Sequence, residues 1–514
     1  MTQKRLRLAA AILLVCAFLA MVGRYWNPYY GFTSLLQLDS SDEAIAIHEL
    51  RDRPIFFYAG NNGYDADTYV QIAFHPLLGS PELKTAINNV PYRARHILPG
   101  WISFLLSGGN PDWIAQVYAT LNIGVWCVLA GIVWRLLAVG DWKGWVAWAG
   151  FLFSAGALYS VRLALTDLLA VTLLAAAILL AERRRVAGGL ALLALAGLAR
   201  ETALLGVVAF WSGPWDQLAS WRRNLGRTVL VALPLLVWVG YIRVVAGPAP
   251  QGFGNLTLPL SGYMEKWLQT LNDFRSVGPY GWLNTTTLLV VVALTVQAIF
   301  VLRRRAPDNP GWRLGITGVA MMMLFGTAVW EGHPGAAARL LLPLGLAFAL
   351  LVVRQRAGWA WVLLGSLSVL GGLLAFSNPS HEVREIGAGR QDGVTYIMRL
   401  GTDSYPTEHT WKHTWGWCGR TASLSIATWP ASAEAKRIRL GLRAASPRVI
   451  EITDSLGRRL WQGRVGAVRQ EVELSPVPPG PQALRFRSDA TLVVEGPGAG
   501  ARGLGFAIYD PRRE

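Results

Sequence analysis

The chain has 514 residues, 53% of them hydrophobic, with a mean hydropathy of +0.33 and a formal net charge of +16. Such apolar content excludes an ordinary soluble enzyme of this length. The basic residues gather at the ends of apolar runs, which reads as the positive-inside rule and not as a nucleic-acid surface. Cys16, Cys127 and Cys418 show no metal-ligand spacing and leave the C-terminal region without an internal disulfide.

The first apolar run, Leu6–Val22, follows Lys4 and Arg5 and has no clear small-x-small cleavage site before Arg24. It reads as a signal anchor with a cytoplasmic N-terminus. Residues 25–96 then form a long outer loop, and an apolar stretch at 97–107, with Pro99 and Gly100 near its start, is too short to cross and reads as a re-entrant half-helix. Full spans are expected near 112–138, 144–160, 163–181, 186–198, 201–212, 228–246, 281–302, 313–330, 337–353 and 357–376. With the anchor these make about eleven crossings. That parity places the clusters Arg183–Arg185, Arg222–Arg227, Arg303–Arg305 and Arg354–Arg356 in the cytoplasm. It places loops 25–96, 247–280 and 331–336, and everything after residue 376, outside a cell inner membrane.

After Asn378 no run could span a bilayer. Short alternating segments (IRLGLRAA, VIEITDS, RQEVELS, ALRFRS, TLVVEG, GLGFAIYD) are separated by SLGRR, SPVPPGP and GPGAGARG. The expected architecture is therefore an α-helical polytopic membrane domain over 1–376 and an all-β sandwich, of jelly-roll type, over 380–514.

Three groups of residues stand out chemically. Asp65 and Asp67 lie in GYDADTYVQIAFHP (63–76), where two acids after a glycine either cap the following helix or do chemistry at the outer face. NNVPYRARHILP (88–99) puts Arg93, Arg95 and His96 on the outer side, against the positive-inside rule. They either snorkel to the interface or hold a phosphate, for which a guanidinium fork is suited. Charges also fall inside or at the outer ends of spans: Arg162 with Asp167, Arg200 with Glu201, and Glu331, His333 and Arg339. At membrane depth such groups are costly, and all are expected on the side of Asp65, as ion pairs between helices or as a site. In the C-terminal region Trp411, Trp415 and Trp417 either fill the sandwich core or offer faces to sugars, and His409 and His413 are four apart.

The motifs GYDADTYVQIA, YRARHILP and GLARETALL (197–205), in that order and on that side, resemble the GT-C superfamily of integral-membrane glycosyltransferases over residues 1–376. The tail looks like the β-sandwich that some bacterial members append. The resemblance implies transfer of a sugar from a polyprenyl-phosphate donor to an extracytoplasmic glycan, glycolipid or protein acceptor, with no cofactor beyond that donor. It implies that an acid in the first outer loop acts as base or charge partner for the acceptor. Asp65, four before Tyr69, matches the Asp-x-x-x-Tyr pattern best, with Asp67 second and the choice open. Tyr69, Arg93, Arg95, His96, Arg200, Glu201, Glu331, His333 and Arg339 are the expected substrate and lipid-phosphate contacts. Arginines that neutralise the phosphate leave no need for an obligatory metal. A transporter or flippase would carry similar buried charges, but usually in paired halves, and no internal symmetry is visible here. A non-catalytic scaffold for glycan assembly is the third reading.

Overall fold

The structure is a computed structural model that describes residues 3–39, 45–58, 63–213, 217–248, 255–275, 281–333, 335–377, 384–401, 403–429, 436–477, 482–489, 491–496 and 501–513. The chain divides into two compact units. One joins Met1–Arg24 to Asp65–Asn378, and the other joins Tyr25–Tyr64 to Pro379–Glu514.

The first unit is helical. Its helices start where the sequence supplies caps: the side chains of Asn110 and Asn309 accept the backbone N–H of Asp112 and Gly311, each with proline at the first helical position. Among the described residues four helices are long and apolar enough to cross a membrane: Gln3–Gly23, Pro111–Leu136, Leu218–Val245 and Gly281–Arg303. Trp142–Leu152 and Ala155–Arg162 make a fifth if counted as one span bent by 41°. The other expected crossings are occupied by shorter apolar helices, among them Asp167–Glu182, Val186–Ala199, Leu342–Arg354 and Trp359–Gly365. The re-entrant stretch is the nine-residue helix Leu98–Leu106.

Two breaks position charge. Between Val186–Ala199 and the 3-10 helix Glu201–Phe210, Arg200 is extended (φ −157°, ψ 122°), so adjacent side chains leave the helix in different directions. Between Arg162 and Asp167 the chain is pinned by Asn122, whose amide donates to the carbonyls of Ser160 (2.8 Å) and Leu165 (2.6 Å). A buried amide facing two loop carbonyls satisfies the helix end that the break exposes.

The second unit is a pair of antiparallel sheets. The six-stranded sheet runs Arg459–Val465, Arg448–Thr453, Gln482–Ser488, Thr421–Trp429, Val394–Leu400, Glu385–Gln391. The five-stranded sheet runs Gln470–Val477, Lys436–Ala444, Phe506–Arg513, Thr414–Cys418, Ser404–His409. Their inner faces share one core that includes Met398, Leu424, Leu440, Ile452, Leu474, Phe486 and Ile508. All six expected strands are present. The pattern misses others, such as Glu385–Gln391 and Ser404–His409, because EIGAGRQ and SYPTEH lack alternation and one contains proline. None of the three tail tryptophans belongs to the core. Trp411 is 89% exposed, and Trp415 stacks on Tyr509 at 5.5 Å on the outer face.

The first part of the outer loop belongs with these sheets. Leu38–Asp39 pairs with Phe57–Tyr58, and Tyr30, Phe56 and Tyr58 pack with Ile397 and Trp429. The Tyr30 hydroxyl donates to Glu385 (2.9 Å). Arg399 donates to the Phe57 carbonyl (2.7 Å), with its guanidinium 3.8 Å from the Phe56 ring centre. The structure thus splits loop 25–96 at Asp65, because Tyr30, Phe56 and Tyr58 find their burial on the sandwich. A fragment of residues 384–514 should therefore unfold at lower urea than the same fragment linked to residues 25–64. Trp429→Ala should cost about 3–5 kcal/mol in the linked form. Urea midpoints followed by tryptophan fluorescence test both; equal midpoints for the two fragments would refute the assignment.

Candidate active site

Four short pieces of the first unit converge. The helix Ala66–Phe74 packs under Leu98–Leu106, where Gly100 lets the backbones approach; a Cβ there would lie 3.4 Å from Ala73 Cα. Just ahead of that second helix, NNVPYR makes one tight turn. Asn89 takes the left-handed conformation (φ 60°) that asparagine tolerates and accepts the Tyr92 N–H, and Pro91 begins the Val90–Arg93 turn. The Trp238 indole donates to the Ala94 carbonyl (2.8 Å) and holds this turn to the Leu218–Val245 helix.

Asp65 occupies the position before helix Ala66–Phe74, yet its side chain makes no capping bond. Both oxygens are taken by arginines: Arg93 Nη1 donates to Oδ1 (2.5 Å) and Arg339 Nη2 to Oδ2 (2.7 Å). Arg339 Nη1 donates to Asp167 Oδ2 (3.1 Å), and Asp167 Oδ1 lies 3.3 Å from Arg200 Nε. The result is a chain Arg93–Asp65–Arg339–Asp167–Arg200 whose side chains are 26%, 22%, 7%, 3% and 11% exposed, so it runs from a partly open end into the interior. Three guanidiniums and two carboxylates sum to +1. Asp167 opens helix Asp167–Glu182, where the helix dipole also favours a carboxylate.

Burial would raise the Asp65 carboxyl, but the guanidiniums of Arg339 and Arg93 reverse this and hold it well below the usual carboxylate range. Each carboxylate of the chain faces two positive charges, so a divalent cation brought to either would meet repulsion.

A second array lies beside it. Tyr69 Oη is 3.0 Å from His96 Nδ1, and His96 Nε2 is 2.5 Å from Glu201 Oε2. An ionised Glu201 only accepts, so His96 Nε2 donates to it. Burial, and then the nearby Asp65 charge, push the Tyr69 hydroxyl up to about 12, which keeps it a donor. The His96 side chain is fully buried while that of Glu201 is 35% exposed. Arg93 passes 6.0 Å from the centre of the Tyr69 ring and joins the two arrays.

Asp65, Arg93, Arg200 and Arg339 are thus brought together, and Tyr69, His96 and Glu201 form the adjoining array. Arg200 and Glu201 do not act as a pair: Arg200 turns to Asp167 and Glu201 to His96. Asp67 does not begin the helix as expected. It sits in the first turn and accepts from Gln71 (3.0 Å), because the helix starts at Ala66. Arg95 stacks 5.7 Å from the Tyr92 ring and has no ion-pair partner among the described residues. Glu331 is exposed, and His333 Nδ1 is 3.2 Å from Thr287 Oγ1; neither is bonded to the arginine chain among the described residues. Asp167 is the member that the expected contact set omits. Its signal was an acid at the start of a long apolar run, named above beside Arg162.

No family model matches the sequence, and no curated protein matches it. Among solved structures, the arabinosyltransferase EmbB from Mycobacterium smegmatis aligns over 98% of this chain and 67% of its own, with TM-score 0.29 and 12% identity. A likeness of that size carries over neither chemistry nor residue roles.

Arg339 reaches its partners because Gly156 lets the 337–340 turn close in. A methyl at Gly156 would lie 2.2 Å from the Ala338 carbonyl oxygen and 3.0 Å from Arg339 Cα. Gly156→Ala should lower stability by about 1–3 kcal/mol through this overpacking. Gly124→Ala, which meets nothing within 4 Å, should be neutral or slightly stabilising. Thermal unfolding in detergent compares the two, and equal melting temperatures would show that the close approach is not required.

Proposed function

We propose that this chain is a membrane glycosyltransferase of GT-C type that moves a sugar from a polyprenyl-phosphate donor to an acceptor hydroxyl, with Asp65 as the acceptor-activating carboxylate. The observation that carries this reading is the arginine chain itself. Its five linked groups carry a net charge of +1 among themselves, and its open end is a guanidinium. A sugar phosphodiester carries one negative charge, and a planar fork binds two of its oxygens.

The clamp also sets the order of events. While Arg93 and Arg339 hold Asp65, the carboxylate is a poor base, since general-base efficiency follows basicity. A donor phosphate draws Arg93 to itself. Asp65 then keeps only Arg339, which it shares with Asp167, and becomes more basic. It takes the proton of the acceptor hydroxyl as that oxygen bonds to the anomeric carbon. The bond from that carbon to the phosphate oxygen breaks, and the arginine holds the charge that develops on the leaving lipid phosphate. Arg95 lies two residues from Arg93 and supplies a further cation. Arg200 acts from behind, through Asp167. The Tyr69–His96–Glu201 array fixes the Tyr69 ring beneath Arg93.

The test is Asp65→Asn, assayed for sugar transfer from polyprenyl phosphate in purified protein. Loss of a general base lowers the rate about 10²–10⁴-fold. The same substitution removes the anion that competes for Arg93, so binding of polyprenyl phosphate should tighten. A purely structural clamp predicts no gain in binding, and wild-type transfer by Asp65→Asn would overturn the catalytic role. A transporter would show movement of a lipid-linked sugar without transfer.

The pH profile carries the sign. A depressed carboxyl is ionised at all pH values above its folded value, so kcat/KM for the donor should show no acid limb from Asp65 near pH 4, where a free aspartate titrates (about 3.9). In kcat, which reports the donor complex, that limb should move up. Arg93→Gln should move the limb up in kcat/KM as well and raise KM for the donor.

A further inference from the structure

The helix Ser261–Arg275 is turned inside out for a protein in water. Its buried positions are Gly262, Lys266 and Thr270, spaced four apart on one face. Met264, Leu268, Leu271 and Phe274 lie on the other side of the helix and are 53%, 63%, 36% and 51% exposed. The inward face is held by named contacts, although the Thr270 hydroxyl is buried without a hydrogen-bond partner among the described residues. Gly262 packs against the backbone at Phe325–Thr327, and Lys266 Nζ donates to the Gly332 carbonyl (2.7 Å). Glu265 accepts from Thr327 Oγ1 (2.7 Å), and Asn284 donates to the Asp273 carbonyl (2.9 Å). These bonds fix the rotation of the helix, so the apolar face cannot turn inward. The segment before it continues the pattern: Leu256, Leu258 and Leu260 are 55%, 79% and 42% exposed while the backbone is bonded to Met323–Gly326.

We propose that Ser261–Arg275 is a membrane-surface helix whose Met264–Leu268–Leu271–Phe274 face lies among the lipid chains of the leaflet at the Asp65 end of the bundle. With 15 residues and four charged side chains it is too short and too polar to cross. Amphipathic helices with this division of faces lie in the interfacial plane, about 5–10 Å deep. The identity of the occupant follows from what flanks the helix. Leu218–Val245 exposes Val244 by 85% at its end, and Gly281–Arg303 exposes Trp282 by 81% in its first turn; both are span-length helices. The exposed stripe is thus continuous with lipid-facing surface on both sides, and Trp282 sits where interfacial tryptophan gathers.

This placement bears on the site. Asn255 is 3.5 Å from the Tyr92 hydroxyl, and the Tyr92 ring centre is 5.8 Å from the Arg93 guanidinium. A helix anchored among lipid chains therefore sets the Arg93 end of the arginine chain near headgroup level, where the phosphate of a lipid-linked substrate lies. That consequence rests on the proposed donor; the position of the helix does not.

The experiment places single nitroxide labels in full-length protein in lipid nanodiscs, with Cys16 and Cys127 changed to Ser and Cys418 to Ala. Labels at Met264→Cys, Leu268→Cys and Leu271→Cys should collide more with oxygen than with a water-soluble nickel complex. Labels at Gln269→Cys and Asn272→Cys should show the reverse. Two outcomes overturn the proposal. Nickel collision at 268 and 271 equal to that at 272 would put the helix in water. Exclusion of both reagents at 268 and 271 would mean that protein, such as a second copy of the chain, covers the face. The readout needs no sugar transfer, so it stands apart from any failure of the enzymatic reading.

Discussion

Arg339 is 7% exposed at its side chain and cannot be left uncompensated. That single requirement orders the helical unit. One guanidinium faces two carboxylates, Asp65 and Asp167, and each of these has a second arginine beside it. Five residues far apart in sequence are forced into one line. The chain accommodates them by breaking its helices: at the Asn122-pinned link before Asp167, at the extended Arg200, and at the tight turn of Ala337–Leu340 under Gly156. The short helices of this bundle follow from those breaks, since an unbroken apolar helix would carry the charges past each other.

The same clamp imposes a conflict on chemistry. Two guanidiniums make Asp65 an anion of low basicity, which is stable but unreactive, and they make the open end of the line attractive to a second anion. Both properties come from one geometry. The conflict resolves if the second anion is the substrate, because its arrival takes an arginine away from the carboxylate. The exposure gradient along the line is consistent with this: Arg93, 26% exposed, can exchange partners, whereas Arg339 remains tied to Asp167.

The Tyr69–His96–Glu201 array illustrates a different constraint. A fully buried imidazole must satisfy both ring nitrogens, and it does so with the Tyr69 hydroxyl and the Glu201 carboxylate. His96 is therefore committed to these two partners and makes no bond to the arginine line among the described residues. The inverted helix Ser261–Arg275 obeys the same accounting from outside. Lys266 and Glu265 are spent on a backbone carbonyl and a side chain of the bundle, which fixes the helix with its apolar residues outward.

Composition and hydropathy alone determined that this is a multi-helix membrane protein with a β-rich C-terminal region, because span length and strand alternation are local properties. The order of the charged motifs was also legible: Asp65 and Arg93 stood out as charges on the outer side, and Arg200 and Arg339 as charges in or at the ends of apolar spans. Their partners were not. Sequence adjacency suggested Arg200 with Glu201, but an extended residue between two helices sends neighbours in opposite directions. Asp67 does not cap the helix, because the helix begins at Ala66, two residues before Thr68, and Asp65 at the cap position is claimed by arginines instead. Whether 25–64 joins helices or sheets, and which face of 261–275 points inward, depend on contacts between segments hundreds of residues apart or on the medium outside. Local pattern contains neither, and only the tertiary structure decides them.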